Sequence, residues 1–168
     1  MTTPIAGVVP LEEKEVTVAT FWPSIAVYPF GRTIGRLGLL AWPGVYIFRI
    51  GYLLAVLCIP IAIALYFLRL APRFGRRYVL SNRRIAVKEG ITDAEIKSLD
   101  LDRFDTIDIV THPGDAWYHC GDLVFREGKV ETFRLNAVPR PEVARETFLQ
   151  ARLAYVGVRN ALAGTDAA

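Results

Sequence analysis

The sequence is poor in the residues that most often do chemistry. It holds two cysteines, two histidines and one methionine in 168 residues. Cys58 lies in an apolar run and Cys120 in the polar half, so the two are not expected to bridge, and nothing points to a disulfide scaffold or an oxidising compartment. Patterns of the type G-x-S-x-G, P-loop or G-x-G-x-x-G are missing. The nucleophile elbow, phosphate cradle and dinucleotide fingerprint of common enzyme classes are therefore absent. The first thirty residues lack a basic start followed by an apolar core. They carry Glu12, Glu13, Lys14 and Glu15 instead, which argues against a cleavable signal peptide. A net charge of +3 is too small to suggest nucleic acid.

What the chain has in excess is apolar surface. Apolar residues make up 52%, and the surplus is concentrated between Leu37 and Leu68. Residues 51–68 contain no charge. At about 1.5 Å per residue, about 20 residues cross a hydrocarbon core. A transmembrane helix is expected over about 46–68, with Arg49 near one interface and Pro60 kinking the span. Residues 31–42, with Arg32 and Arg36 beside apolar neighbours, read as a short interfacial helix. The membrane region is thus 31–70. One span plus an interfacial or re-entrant piece is preferred; two spans, with 37–47 as a short first arm, are the alternative. A buried core helix is disfavoured, because a small domain cannot surround so long an all-round apolar segment. Residues 1–30 read as a lead-in without helical period, and Pro23 and Pro29 forbid a continuous helix there.

After the apolar run the period changes from helical to alternating. Tyr78 with Leu80, and Ile85 with Val87, mark two strands joined by a turn at Ser81 and Asn82. Further strands are expected over 95–101, 104–110, 121–126 and 130–135. Pro141 and Glu142 suit the start of a helix. Ala144, Phe148, Ala151 and Tyr155 give that helix an apolar stripe able to close one end of a curled sheet. The fold class is α+β, mainly β: a curled antiparallel sheet or partly open barrel over 76–158, capped by the C-terminal helix and preceded by the transmembrane helix. Residues 159–168 read as a flexible tail.

The order of "RRYVLSNRRIAVKEG", "IKSLDLDRFDTIDI", "CGDLVFR" and a final helix after a membrane segment resembles the bacterial pleckstrin-homology-like (PH-like) family, in its membrane-anchored, YdbS-like group. The hairpin residues carrying the resemblance are Tyr78, Leu80, Ser81, Asn82, Arg83, Arg84 and Ile85, with Ser where Thr is commoner. The resemblance covers about 76–155. It implies a seven-stranded curled sheet closed by a C-terminal helix, and no known catalytic residues. Six strands are found by pattern, and a seventh is sought around 111–116. Many relatives have two clear membrane spans, where this chain offers about one and a half.

Arg69, Arg73, Arg76, Arg77, Arg83 and Arg84 form a basic block after the apolar run. Their plainest role is the positive-inside signal that fixes orientation. Arg73, Arg76, Arg77, Arg83 and Arg84 are also the candidate contacts for an anionic headgroup or a partner, at about 1 kcal/mol each near a charged surface. Arg84 has a second reading, as the partner of Asp100 or Asp102. His112, Asp115, His119, Cys120 and Asp122 are competent metal ligands, but their spacing matches no established zinc signature and they read as a structural loop. The expectation is a non-enzymatic module on the cytosolic side of a bacterial inner membrane. It binds the membrane lipid surface or a protein partner, with no cofactor, no metal and no nucleic acid. The alternative is an accessory subunit of a membrane transport or export complex.

Overall fold

The computed structural model describes residues 15–39, 50–68 and 75–165. Seven strands form two antiparallel sheets, of order β1-β2-β3-β4 and β5-β6-β7. The first contains β1 (Thr17–Phe21), β2 (Arg76–Ser81), β3 (Arg84–Glu89) and β4 (Glu95–Asp100). The second contains β5 (Thr106–Val110), β6 (Cys120–Glu127) and β7 (Val130–Pro139). Before β2 come α1 (Pro29–Leu39), α2 (Ile50–Leu57) and α3 (Ile59–Leu68), and α4 (Pro141–Thr165) ends the fold.

The inward positions of the alternating strands meet in one core. Tyr78, Leu80, Ile85, Val87, Leu123, Phe125 and Leu135 are buried in it with Phe148 of α4. Phe125 is its hub. Its ring centroid lies 5.0 Å from Phe104, 5.5 Å from Phe148 and 5.9 Å from Phe133, in edge-to-face contacts. The β2–β3 turn is built by the Ser81 hydroxyl, which accepts from the amides of Arg83 and Arg84 and donates to the Arg84 carbonyl.

Three expectations are corrected. The seventh strand is not near 111–116, where the chain forms a 3-10 turn over Asp115–Tyr118. It is β1, in the segment read as a lead-in. Phe21 pairs with Tyr78 and Thr20 with Val79, and the Phe21 ring packs 5.3 Å from Phe148. Two β-branched threonines and the inward Ala19 and Phe21 fit a pleated, half-buried strand. Secondly, the tail is helical as far as Thr165, and Arg159 reaches an ion pair with Asp102. Thirdly, the described part of the apolar run is not one unbroken helix, and its break falls beside the Pro60 expected to kink it. Residues 46–49 of the expected span lie outside the described residues, and the remainder divides into α2 and α3 at Cys58. Pro60 has no amide to bond back to Val56, so the ladder breaks there. Bonds from Cys58 N to Leu54 O and from Ala62 N to Cys58 O carry helical spacing through the junction. Among the described residues no helix is long and apolar enough to cross a membrane.

The two sheets are joined at one corner by a side chain. The Tyr78 hydroxyl donates to Asn136 O at 2.8 Å and accepts from Asn136 N at 3.2 Å, and burial pushes its phenol up. Tyr78→Phe strands both backbone groups of the β7 edge. It is expected to cost about 2 kcal/mol in denaturant unfolding of the full chain in neutral detergent. Phe148→Ala, which empties the aromatic core, is expected to cost about 3–5 kcal/mol. A Tyr78→Phe loss within about 0.5 kcal/mol of zero would remove the corner bond from the account.

Candidate functional site

Among the described residues the basic block does not fold into one patch; Arg69 and Arg73 lie outside them. Arg77 bonds Asp93 Oδ1 at 2.6 Å and Thr92 O at 3.2 Å, and Lys88 meets the same carboxylate at 3.3 Å. These two cations hold the Asp93 carboxyl below its usual range. Arg83 sits in the β2–β3 turn. Arg84 grips Glu15 with two parallel bonds of 2.8 and 3.0 Å and reaches Glu95 at 3.2 Å. Its partners are therefore Glu15 and Glu95, not Asp100 or Asp102. Period two explains the outcome: Arg77, Arg84 and Lys88 stand on the outer face of the first sheet, where acidic neighbours meet them. Arg76, one residue earlier, stands on the inner face beside Tyr78.

The most polar buried cluster lies elsewhere, in the loop "THPGDAWYHCGD". Asp115 and Asp122 are 0% and 2% exposed. Asp122 Oδ1 accepts from Ala137 N at 2.9 Å and Arg32 Nη2 at 3.4 Å, and its Oδ2 faces His112 Nε2 at 3.1 Å and Arg134 Nη1 at 3.6 Å. Asp115 Oδ2 accepts from His112 N at 2.9 Å. Its Oδ1 lies 3.3 Å from Arg32 Nε, close enough to pair but without a hydrogen bond. Two carboxylates thus face two guanidiniums, and one of these, Arg32, comes from α1.

Helix α1 is fastened to this loop along its whole inner face. The Tyr118 hydroxyl donates to Gly31 O at 3.0 Å, and Arg36 Nε donates to Pro113 O at 3.1 Å. Gly35 and Gly38 make the close approach possible. A Cβ on Gly35 would collide with Gly114 O, and one on Gly38 would press on the Trp117 ring. The loop is a seat for α1, and α1 in turn packs on α2.

A family model described as "Bacterial PH domain" matches residues 29–156. The chain belongs to the bacterial PH domain family. No curated protein and no solved structure gave a match. The matched range takes in α1, both apolar helices and the loop, and leaves β1 outside.

In this bacterial PH domain the loop residues divide in two. His112, Asp115 and Asp122 come together, with one ligand-type atom each within 4.8 Å of the others. That is a metal-type donor set, but Arg32 pairs with both aspartates and Arg134, which also bonds Glu131, reaches Asp122, so a cation there would meet two guanidiniums. His119 is exposed and stands apart. Burial pushes the Cys120 thiol up to about 11, so it stays protonated at neutral pH, and its sulfur points at Asp115 O. Sequence reasoning missed Arg32 and Arg134 as partners of these aspartates. The available signal was the spacing of Gly31, Gly35 and Gly38 on one helical face, beside an arginine.

Gly35→Ala is expected to lift α1 from its seat and lower unfolding stability by about 2 kcal/mol or more. Gly157→Ala, on an open stretch of α4, is expected to be neutral or to stabilise by about 0.5–1 kcal/mol. Arg32→Leu strands the two buried carboxylates and is expected to cost about 3 kcal/mol. Equal effects for the two glycine variants would contradict the close approach of α1 and the loop.

Proposed function

We propose that this chain is a membrane-anchored, non-enzymatic interaction module of a bacterial inner membrane, holding its PH-like sheets against the cytosolic surface. The supporting observation is the exposure of α2 and α3. Leu53, Val56, Leu57, Ile61, Ile63 and Phe67 are each about half exposed or more. They share one broad side of the helices, opposite the less exposed Leu54, Cys58, Ala62 and Leu65, so a wide apolar face is left uncovered among the described residues. At about 25 cal/mol per Å2, each such side chain left in water forgoes on the order of 1 kcal/mol. A lipid phase removes that cost without a partner.

The anchor also has a defined topology in this reading. β1 and α1 precede the apolar helices, β2 follows them, and all three belong to one packed unit. A segment whose two ends are held by the same unit enters and leaves the bilayer on one side. This reading favours a hairpin or re-entrant insertion over one span plus an interfacial piece. The described part of this insertion, α2 with α3, runs for about 28 Å at 1.5 Å per residue. The arginines on either side of it then mark the same, cytosolic face.

Two measurements test this. The chain should stay with membranes through alkaline carbonate and enter the detergent phase on phase separation. Alkaline phosphatase fused before Met1 or after Ala168 should be inactive in both positions. Release by carbonate overturns the anchor. Activity at one terminus alone overturns the hairpin. Co-purification with a multi-span protein that is required for membrane retention would favour an accessory subunit instead.

A further inference from the structure

Arg134 of β7 serves two carboxylates that belong to different parts of the molecule. One is Glu131, which it grips with two bonds, Nε to Oε1 at 2.8 Å and Nη2 to Oε2 at 2.9 Å. The other is Asp122, whose Oδ2 stands 3.6 Å from the remaining nitrogen, Nη1, in ion-pair range but longer than a hydrogen bond. Glu131 is the outer member. Its side chain is 40% exposed, and with Arg134 it lines a groove of about 510 Å3 between the inner face of the first sheet and the edge strand β7. Asp122 is the inner member, buried in the seat of α1.

A bulge puts Asp122 in that position. The β6–β7 register shifts between Gly121 and Leu123, which leaves Asp122 out of the ladder. Bulges re-aim a side chain, and this one turns the carboxylate toward α1. Its Oδ1 accepts from Arg32 Nη2 at 3.4 Å and from Ala137 N at 2.9 Å. Ala137 holds a φ of 50°, and its carbonyl accepts from Ser24 N, upstream of α1, at 2.8 Å. Glu131, Arg134, Asp122 and Arg32 thus form one line of alternating charge from an exposed strand edge to α1. The guanidinium in the middle is a rigid fork. While two of its nitrogens hold Glu131, it does not close on Asp122. The same grip keeps the Glu131 carboxyl below its usual range, so Glu131 is charged at neutral pH.

We propose that Glu131 and Asp122 compete for Arg134, and that this competition sets how firmly α1 is seated. The device couples the β7 edge of the groove to α1, and through α1 to the apolar helices packed on it. When Glu131 is neutralised or engaged elsewhere, the guanidinium closes on Asp122 Oδ2. Arg32 and Ala137 use Oδ1, so they are not displaced; the carboxylate is fixed in plane and holds them better. When Arg134 is drawn away, the buried carboxylate loses a cation and the seat loosens. A partner that engages Glu131 therefore tightens α1, and one that captures Arg134 frees it. The coupling belongs to the packed unit and stands whether α2 and α3 lie in lipid or against another protein.

Amide hydrogen exchange of the full chain in maltoside detergent tests this, read at residues 33–38 of α1 with the β3 amides as reference for global opening. Glu131→Gln keeps the shape of the side chain and removes its charge. It is expected to slow exchange in α1 roughly two- to fivefold. Arg134→Gln is expected to speed it roughly fivefold or more. Adding Glu131→Gln to Arg134→Gln should change nothing further, because Glu131 acts only through the guanidinium. Glu146→Gln, at an exposed carboxylate on α4, should be silent. If Glu131 only propped up its own strand, losing the pair would quicken exchange, so the sign of the effect separates the two roles. The Glu131→Gln result decides alone if Arg134→Gln fails to fold. Faster or unchanged α1 exchange in Glu131→Gln overturns the proposal, as does an effect of Glu131→Gln that persists without Arg134.

Discussion

Phe21 and Tyr78 face each other across β1 and β2, and the chain between them holds α1, α2 and α3. That one pairing decides how the molecule is connected. It makes the apolar segment an insertion into a sheet instead of a stalk in front of one. Both ends of the insertion are fixed, one by the β1 ladder and one by the β2 ladder. Closing a long loop costs little more than closing a medium one, because the entropy grows only with the logarithm of its length. The sheet gains a whole strand by closing it. The Glu15–Arg84 pair lies at the far end of the same strand and guides it, although an exposed pair of this kind adds only about 0–1 kcal/mol.

The second fastening works on a different principle. Helix α1 buries little apolar bulk against the loop; its inner face is largely glycine. Close approach of backbones replaces side-chain interdigitation, and specificity comes from polar groups: Tyr118 on Gly31, Arg36 on Pro113, Arg32 on the two aspartates. A buried carboxylate is costly without compensation, and Asp122 has four polar neighbours drawn from α1, the loop and β7. The cluster therefore fixes α1 against the loop and β7. A loop whose composition suggests an ordinary turn is in fact the joint between the two parts of the molecule.

Most of the sheet was legible because alternation is local. The expected strands over 121–126 and 130–135 fall within Cys120–Glu127 and Val130–Pro139, and the Ser81 turn is where its chemistry puts it. β1 escaped because a five-residue strand announces itself weakly and its partner is remote in the chain. Arg84 was assigned to nearby acids for the same reason, since Glu15 becomes its neighbour only after β1 has paired. The His112, Asp115 and Asp122 set was visible as residues. Its convergence depends on left-handed backbone at Gly114 and His119, which folds the loop back on itself and leaves no periodic trace. The charge-free run over 51–68 was legible from composition, and Pro60, expected to kink it, lies beside the break between α2 and α3.

Arg76 and Arg77 are consecutive, chemically identical, and different in consequence. The pleat sends one side chain to the outer face, where Asp93 meets it, and the other into the groove, where the only carboxylate among the lining residues, Glu131, is already held by Arg134. A net charge or a basic run cannot separate them, because both treat the two as equal. What distinguishes them is where the acids are. The outer face of the first sheet has its cations neutralised and reads as solvated structure. The inner mouth holds Arg76 and Lys97, which make no ion pair among the described residues.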